Sequence, residues 1–329
     1  MLYFQHNTEN KNLQAGKRPV TVFKKEDLSM IDLHIHSRYS DDGDFTPENL
    51  AEQCAKSGIK AFSVTDHNCV RADKEAKEAA KKLGLCYLSG GEFDGVFHEI
   101  NLHILGYGID TEHPVFVDLE ANIVRQSASA SYEMLEKTNA LGFHVTAEEM
   151  ENVSRDCYWR ERWTGEMFAE VLLGKPEYEN HPLLLPYRAG GDRSDNPYVN
   201  IYWDFYSQGK PCYASMVYPS AKDVIDMIHE AGGFVVLAHP GANLRGREEM
   251  AEKIVSLGVD GIEVFSSYHS EAQEEYFLEM AKRLRKLITC GSDFHGKTKP
   301  AIHLGDAARR MNGEAGQMVL ESLRQGGIL

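Results

Sequence analysis

The 329-residue chain contains no run of about 18 apolar residues, so no segment reads as a transmembrane helix. Its first residues, MLYFQHNTENKNLQAGKR, are polar and lack the apolar stretch of a secretory signal, and the expectation is a soluble, cytoplasmic protein with no membrane partner. Cysteine is sparse. Cys54, Cys69, Cys86, Cys157, Cys212 and Cys290 form no CxxC pair, which argues for reduced thiols rather than a zinc ribbon or a disulfide framework. Positive charge is also in deficit: 35 Lys and Arg stand against 50 Asp and Glu, a net charge of -15. A broad basic surface that tracks duplex nucleic acid is therefore not expected. An anionic substrate would need a local source of positive charge, and bound cations could supply it. No internal repeat or low-complexity tract is present.

What the chain does have is a 42% hydrophobic content, enough for one large α/β domain or a barrel carrying a smaller unit. The segment LYFQ resembles the end of a protease-cleavage tag, so residues 1–27 are set aside as an arm outside the fold. From Met30 a β-α-β rhythm begins: MIDLHIH, a helix opened by Thr46 with Pro47 at its first position, then IKAFSVTDH. A charged helix ending at Gly84 follows, then LCYLSGGEF and the strand EINLHILGYG. Between residues 112 and 218 strand alternation gives way to helix-like stretches and irregular Pro/Gly-rich segments, read as a helical insertion. The rhythm resumes with the strands FVVLAHP, DGIEVFS and KLITCGSDFH, separated by helices. The expected fold is a distorted, seven-stranded (β/α)7 barrel from residues 28–111 and 219–329, with the insertion spliced into it.

The chemistry lies in where His, Asp and Glu fall on that rhythm. His34 and His36 are two apart on a strand, share a face and could grip one ion. Asp41 follows in a loop. The second strand runs into Asp66-His67, the third ends in Gly91-Glu92, the hairpin after it carries His103, a later strand ends in His239, and the last in Asp293 and His295. Barrel active sites form where strand C-termini converge, so these clusters are expected at one mouth. Taken singly, each has an ordinary alternative, such as a hydrogen-bonded structural histidine or a turn carboxylate. Together, nine such side chains at one end would repel or go unsatisfied without cations among them. His98, His113, His144, His181, His229, His269 and His303 show no such grouping and read as structural or solvated.

The motifs HxH, SD, TDH, GxE, HxLGY, AHP and GSDxH occur in that order, and the set resembles the polymerase-and-histidinol-phosphatase (PHP) superfamily of metal-dependent phosphoesterases, over residues 30 to about 110 and about 210 to 310. The stretch GSDFHGKTKPAIHLG is most similar to the branch of stand-alone enzymes acting on nucleotides and short oligonucleotides. The resemblance implies three divalent ions: one held by His34, His36, Glu92 and Asp293, a second bridged by Glu92 and bound by His103 and His239, a third held by Asp41, His67 and His295. A mixed imidazole and carboxylate set suits Mn, Fe or Zn better than Ca or Mg. Where the family usually reads Ser-Asp-Gly this chain reads Ser40-Asp41-Asp42-Gly43; Asp41 is preferred on its spacing from His36, with Asp42 the alternative. Asp66 is a candidate for orienting His67 or a neighbour.

The implied reaction is hydrolysis of phosphate monoesters of small nucleotides, such as nucleoside 3',5'-bisphosphates, or of short oligonucleotides, by a metal-activated hydroxide. Substrate contacts are expected from Arg125, Arg160 and Arg162 of the insertion and from Lys297 and Lys299 of the last loop, although the insertion reads Arg160-Glu161-Arg162-Trp163 where the family branch often has Gly-Arg-Pro-His. A histidinol-phosphate-type phosphatase acting on a non-nucleotide substrate, or a catalytically silent metal-bearing module, are the alternatives.

Overall fold

The computed structural model describes residues 30–311 and 313–327; the expected arm at 1–27 lies outside the described residues. Eight strands are present among them: β1 (Ile31–Ile35), β2 (Ala61–Val64), β3 (Cys86–Tyr87), β4 (Gly90–Phe97), β5 (Ile100–Tyr107), β6 (Phe234–Leu237), β7 (Gly261–Ser266) and β8 (Leu287–Gly291). The β-α-β start is built as expected. Thr46 caps the helix Pro47–Lys56 by accepting from the Asn49 N–H, and Gly84 ends the helix Asp73–Leu83 in the left-handed region. These crossovers make β1, β2 and β3 parallel.

Continuous strand pairing does not run around a full barrel of seven strands among the described residues. The strands fall into a sheet of three, β1-β2-β3, and a sheet of five, β4-β5-β6-β7-β8, in which β5 runs antiparallel to both neighbours. Glu92 consequently does not end a third strand. It lies at the start of β4, in a hairpin with β5. Short hydrogen-bonded bridges join the sheets instead of continuous ladders: Asp293 N to His34 O (2.8 Å) and His36 N to Phe294 O (2.9 Å) on one side, Glu92 N to Asp66 O (3.1 Å) and Asn68 N to Glu92 O (2.7 Å) on the other. The ladders are interrupted because the chain leaves regular extended geometry just where the metal-type side chains sit. Pairing also shifts register between Asp32 and Ile35 in β1 and between Glu263 and Phe265 in β7, irregularities of the kind that re-aim side chains.

One apolar core, including Leu102, Ile104, Val236, Val264 and Phe277, lies between the larger sheet and its helices. Another, including Leu50, Phe62 and Val64, lies under the helices of the smaller sheet. The segment between β5 and β6 carries no strand among its described residues. Its longest helix is Pro114–Ala140, and it has a separate apolar cluster around Trp163, Phe168, Tyr187 and Tyr206.

β8 and β1 approach so closely that a Cβ on Gly291 would lie 2.1 Å from His34 Cβ and 2.6 Å from Glu263 Oε1. Gly291→Ala must push His34 aside. We expect it to cost about 1–3 kcal/mol in a denaturant melt, the range for overpacking a filled interior, and to lower divalent metal binding in the same preparation.

Candidate metal centre

Glu92 is fully buried at the junction of the sheets. Its Oε2 lies 3.1 Å from His34 Nε2, 3.2 Å from His36 Nε2 and 3.3 Å from His67 Nδ1, and its Oε1 lies 3.1 Å from both His103 Nδ1 and His239 Nε2. Asp293 Oδ1 faces His34 Nε2 (3.1 Å) and His36 Nε2 (3.0 Å), while His295 Nε2 faces Asp42 Oδ2 (3.2 Å). Donor atoms that lie within 4.8 Å of one another form three groups: His36, Asp42, His67 and His295; His34, Glu92, His239 and Asp293; His67, Glu92 and His103. The structure thus brings together eight of the nine residues picked as ligands from the sequence, with His67 and Glu92 each in two groups, His36 grouped with Asp42, His67 and His295 rather than with His34, and His239 grouped with His34 rather than with His103.

The ninth position in the grouped donors is taken by Asp42, the alternative to the preferred Asp41. The Asp41 carboxylate instead accepts from Arg162 Nη2 at 2.6 Å. A Cβ on Gly43 would meet Ser37 O at 2.0 Å, so the loop doubles back at a position only glycine can fill and presents the residue just before it. Spacing from His36 counted residues along a loop whose fold-back was not visible. The Asp-Gly pair was the better signal.

Several buried atoms of this cluster, among them His34 Nε2, His36 Nε2, Asp42 Oδ1, Glu92 Oε2, His103 Nδ1 and Asp293 Oδ1, face one another with no hydrogen bond of acceptable geometry. Orphaned buried donors and acceptors are costly, and divalent cations would satisfy them all at once. Behind the imidazoles the other ring nitrogens are held. His34 Nδ1 lies 3.0 Å from Glu263 Oε1, His36 Nδ1 2.9 Å from Ser40 Oγ, His103 Nε2 3.4 Å from Asp94 Oδ1 and His295 Nδ1 2.8 Å from Asp293 O. This is the outer support expected around metal-ligating histidines. The residues present fit a divalent metal centre.

Protonation in the metal-free chain points the same way. Burial alone would raise Glu92, yet the imidazoles of His34, His103 and His67 hold it well below the usual carboxylate range. Burial opposes protonation of His34 and His103, but Glu92 and its neighbouring carboxylates outweigh that, lifting His34 well above and His103 to about 9. His36, buried beside His295 and His67, is pushed down to about 3. Backbone strain collects here too: His239 has φ +20° and Asp293 φ +59°, values that non-glycine residues adopt at a cost of roughly 1–3 kcal/mol each. Glu263 Oε2 helps to hold His239 by accepting its N–H at 2.7 Å.

Asp66 accepts from Ser37 N (2.6 Å), Ser37 Oγ (2.7 Å) and Ser40 Oγ (3.2 Å), and Ser40 Oγ in turn contacts His36 Nδ1 and accepts from His67 N (3.0 Å). It therefore reaches both histidines through serine; burial lifts its carboxyl to about 6. Of the five basic candidates only Arg162 and Lys299 line the cavity of about 200 Å³ beside the cluster. Arg125 and Arg160 are exposed, and Lys297, also exposed, pairs with Glu170 at 3.1 Å. Glu263, Asp94 and Tyr268 were missed. A lone acid in the apolar strand GIEVFS was the available signal for Glu263. Glu166 also lines the cavity, and burial and then the charge of Asp42 lift it to about 7. His269, with Nε2 accepting from Gly241 N and Nδ1 against Val264 O, is structural, as expected.

A family model of the PHP domain matches residues 32–256. The chain belongs to the PHP family. It is a metal-dependent phosphoesterase by that membership and by the relatives it matches. A relative from Chromobacterium violaceum, named a 3',5'-nucleoside bisphosphate phosphatase, is 30% identical over 271 residues, 82% of this chain and 88% of the relative. One from Eggerthella lenta, named a phosphoribosyl 1,2-cyclic phosphate 1,2-diphosphodiesterase, is 28% identical over 83% of this chain and 97% of its own length. A crystal structure from Bifidobacterium adolescentis, described as a candidate metal-dependent phosphoesterase, superposes with a TM-score of 0.70 at 27% identity, covering 89% of this chain and 96% of that one.

Glu263 serves two site residues with separate oxygens, and glutamine can replace only one acceptor. Glu263→Gln is expected to weaken divalent metal binding about 10–100-fold, read by competition with a chromophoric chelator, with little change in secondary structure by circular dichroism.

Proposed function

We propose that this PHP phosphoesterase removes a phosphate monoester from a small nucleotide, such as a nucleoside 3',5'-bisphosphate, or trims short oligonucleotides, with three ions of Mn, Fe or Zn, in the cytoplasm. The observation that carries the reading is that one cavity is lined both by Asp42, His67, His103, Arg162 and Lys299 and by the aromatic residues Tyr202, Trp203, Tyr213 and Tyr218. The cations and metal-type side chains suit a phosphoryl group. The rings suit stacking of a base. The nucleoside bisphosphate phosphatase relative supports the same choice.

His34, His36, Asp42, His67, Glu92, His103, His239, Asp293 and His295 would hold the ions. Bound divalent ions supply Lewis acidity, neutralising phosphoryl oxygens and making water nucleophilic near neutral pH. The protein's own part is to fix the imidazoles through Glu263, Ser40 and Asp94 and to keep Glu92 and Asp293 ionised. The insertion supplies Arg162, buried and aimed at the cluster by Asp41 and by the Trp159 ring 5.3 Å away. The reading as a silent module is disfavoured by the complete donor set.

Chelation should abolish turnover and Mn, Fe or Zn restore it. On a panel of phosphate esters, nucleoside bisphosphates should exceed amino-alcohol and sugar phosphates in kcat/KM; the reverse order would favour a non-nucleotide substrate. Arg162→Ala is expected to raise KM for a nucleotide about 10–100-fold, matching the roughly 1.5–3 kcal/mol of a charge-assisted contact, with metal content unchanged. The exposed Arg160→Ala is the control, and equal KM in both would move phosphate recognition away from the insertion.

A further inference from the structure

Lys299 is a fixed cation set among the donors of the centre. Its ammonium Nζ lies 2.6 Å from Asp293 Oδ2 and 3.4 Å from His295 Nε2, and its side chain is buried over the Tyr268 ring, whose hydroxyl donates to the same Asp293 Oδ2 at 2.6 Å. The loop around it is pinned to the ligand loop: Lys299 N donates to Gly296 O (3.2 Å) and Thr298 Oγ1 to Asp42 O (2.9 Å).

His295 Nε2 is also one of the donors grouped with His36, Asp42 and His67. An ion at the usual distance of about 2.1 Å from that nitrogen could lie no more than about 5.5 Å from the Lys299 ammonium. Two like charges so close in a buried site repel strongly. The effect is asymmetric. Asp293 turns Oδ2 to the lysine and keeps Oδ1 for His34 and His36, so toward the group of His34, Glu92, His239 and Asp293 the ammonium is already paired with that group's own carboxylate, whereas toward the other group it faces the His295 imidazole.

We propose that Lys299 is a resident cation that loosens the ion at His36, Asp42, His67 and His295, so that the centre holds two ions tightly and admits the third when an anionic substrate offsets the added charge. This rests on the reading of the cluster as a three-ion centre. It gives Lys299 a role toward metal loading rather than the simple phosphate contact expected from the sequence.

Metal-stripped full-length protein is titrated with Mn by equilibrium dialysis, bound metal is counted by mass spectrometry, and no substrate is present. Wild type should bind two ions in a tight phase and a third at least about tenfold more weakly. Lys299→Met should bring the third to within about threefold of the others, and Lys299→Gln, which keeps a donor toward Asp293, should do the same should the methionine variant fold poorly. Lys299→Arg keeps the charge and should keep the wild-type pattern. Inorganic phosphate should tighten the third ion in wild type more than in Lys299→Met. Three equally tight ions in wild type, or a third ion indifferent to loss of the lysine charge, would overturn the proposal. Absence of any tight ion in every variant would instead contradict the metal reading itself.

Discussion

Glu92 sets the terms for everything around it. A carboxylate with no exposure survives only if both oxygens meet positive partners, and here nitrogens of five histidines lie 3.1–3.3 Å away. Those histidines come from β1, from the segments after β1, β2 and β6, and from β5. No local segment could assemble them, so the two sheets have to meet at this point. Cations among the rings turn an arrangement that is otherwise poorly satisfied into a closed set of bonds.

Several features of the fold follow from that demand. The sheets are stitched by a few bonds at the segments that carry His34, His36, Asp66, Glu92 and Asp293, rather than by full ladders. Positive φ at His239 and Asp293 aims their side chains inward, and Gly43 and Gly291 give up side chains so that backbone and imidazole can approach. Each device costs stability in the protein alone. Such local violations are expected where a binding site, rather than the core, decides the geometry.

Much of this was legible in the chain because residues that hold metals also punctuate strands. A spacing of two in HIH puts both rings on one face, and TDH, AHP and GSDFH each follow an apolar run whose end can be read directly. What stayed hidden depends on distance in space rather than along the chain. Glu263 and Asp94 support histidines remote in sequence. Asp41 and Asp42 differ only in how a loop turns at Gly43. The hairpin after Gly91-Glu92 was legible, but GGEF begins its first strand instead of ending the strand before it, and eight strands in two bridged sheets stand where a distorted barrel of seven was expected. Arg125 and Lys297 stood beside Arg162 and Lys299 as candidates because charge alone does not show burial.

The central claim is that the buried histidine and carboxylate cluster around Glu92 is a divalent metal site. Anomalous diffraction from crystals of the protein as purified, recorded at the Mn, Fe and Zn absorption edges, tests it most directly. The account predicts anomalous peaks within coordination distance of His34, His103 and His295, with Glu92 between neighbouring peaks. Crystals soaked in those metals that show no peak near Glu92, with the imidazoles hydrogen-bonded to the carboxylates instead, would contradict it.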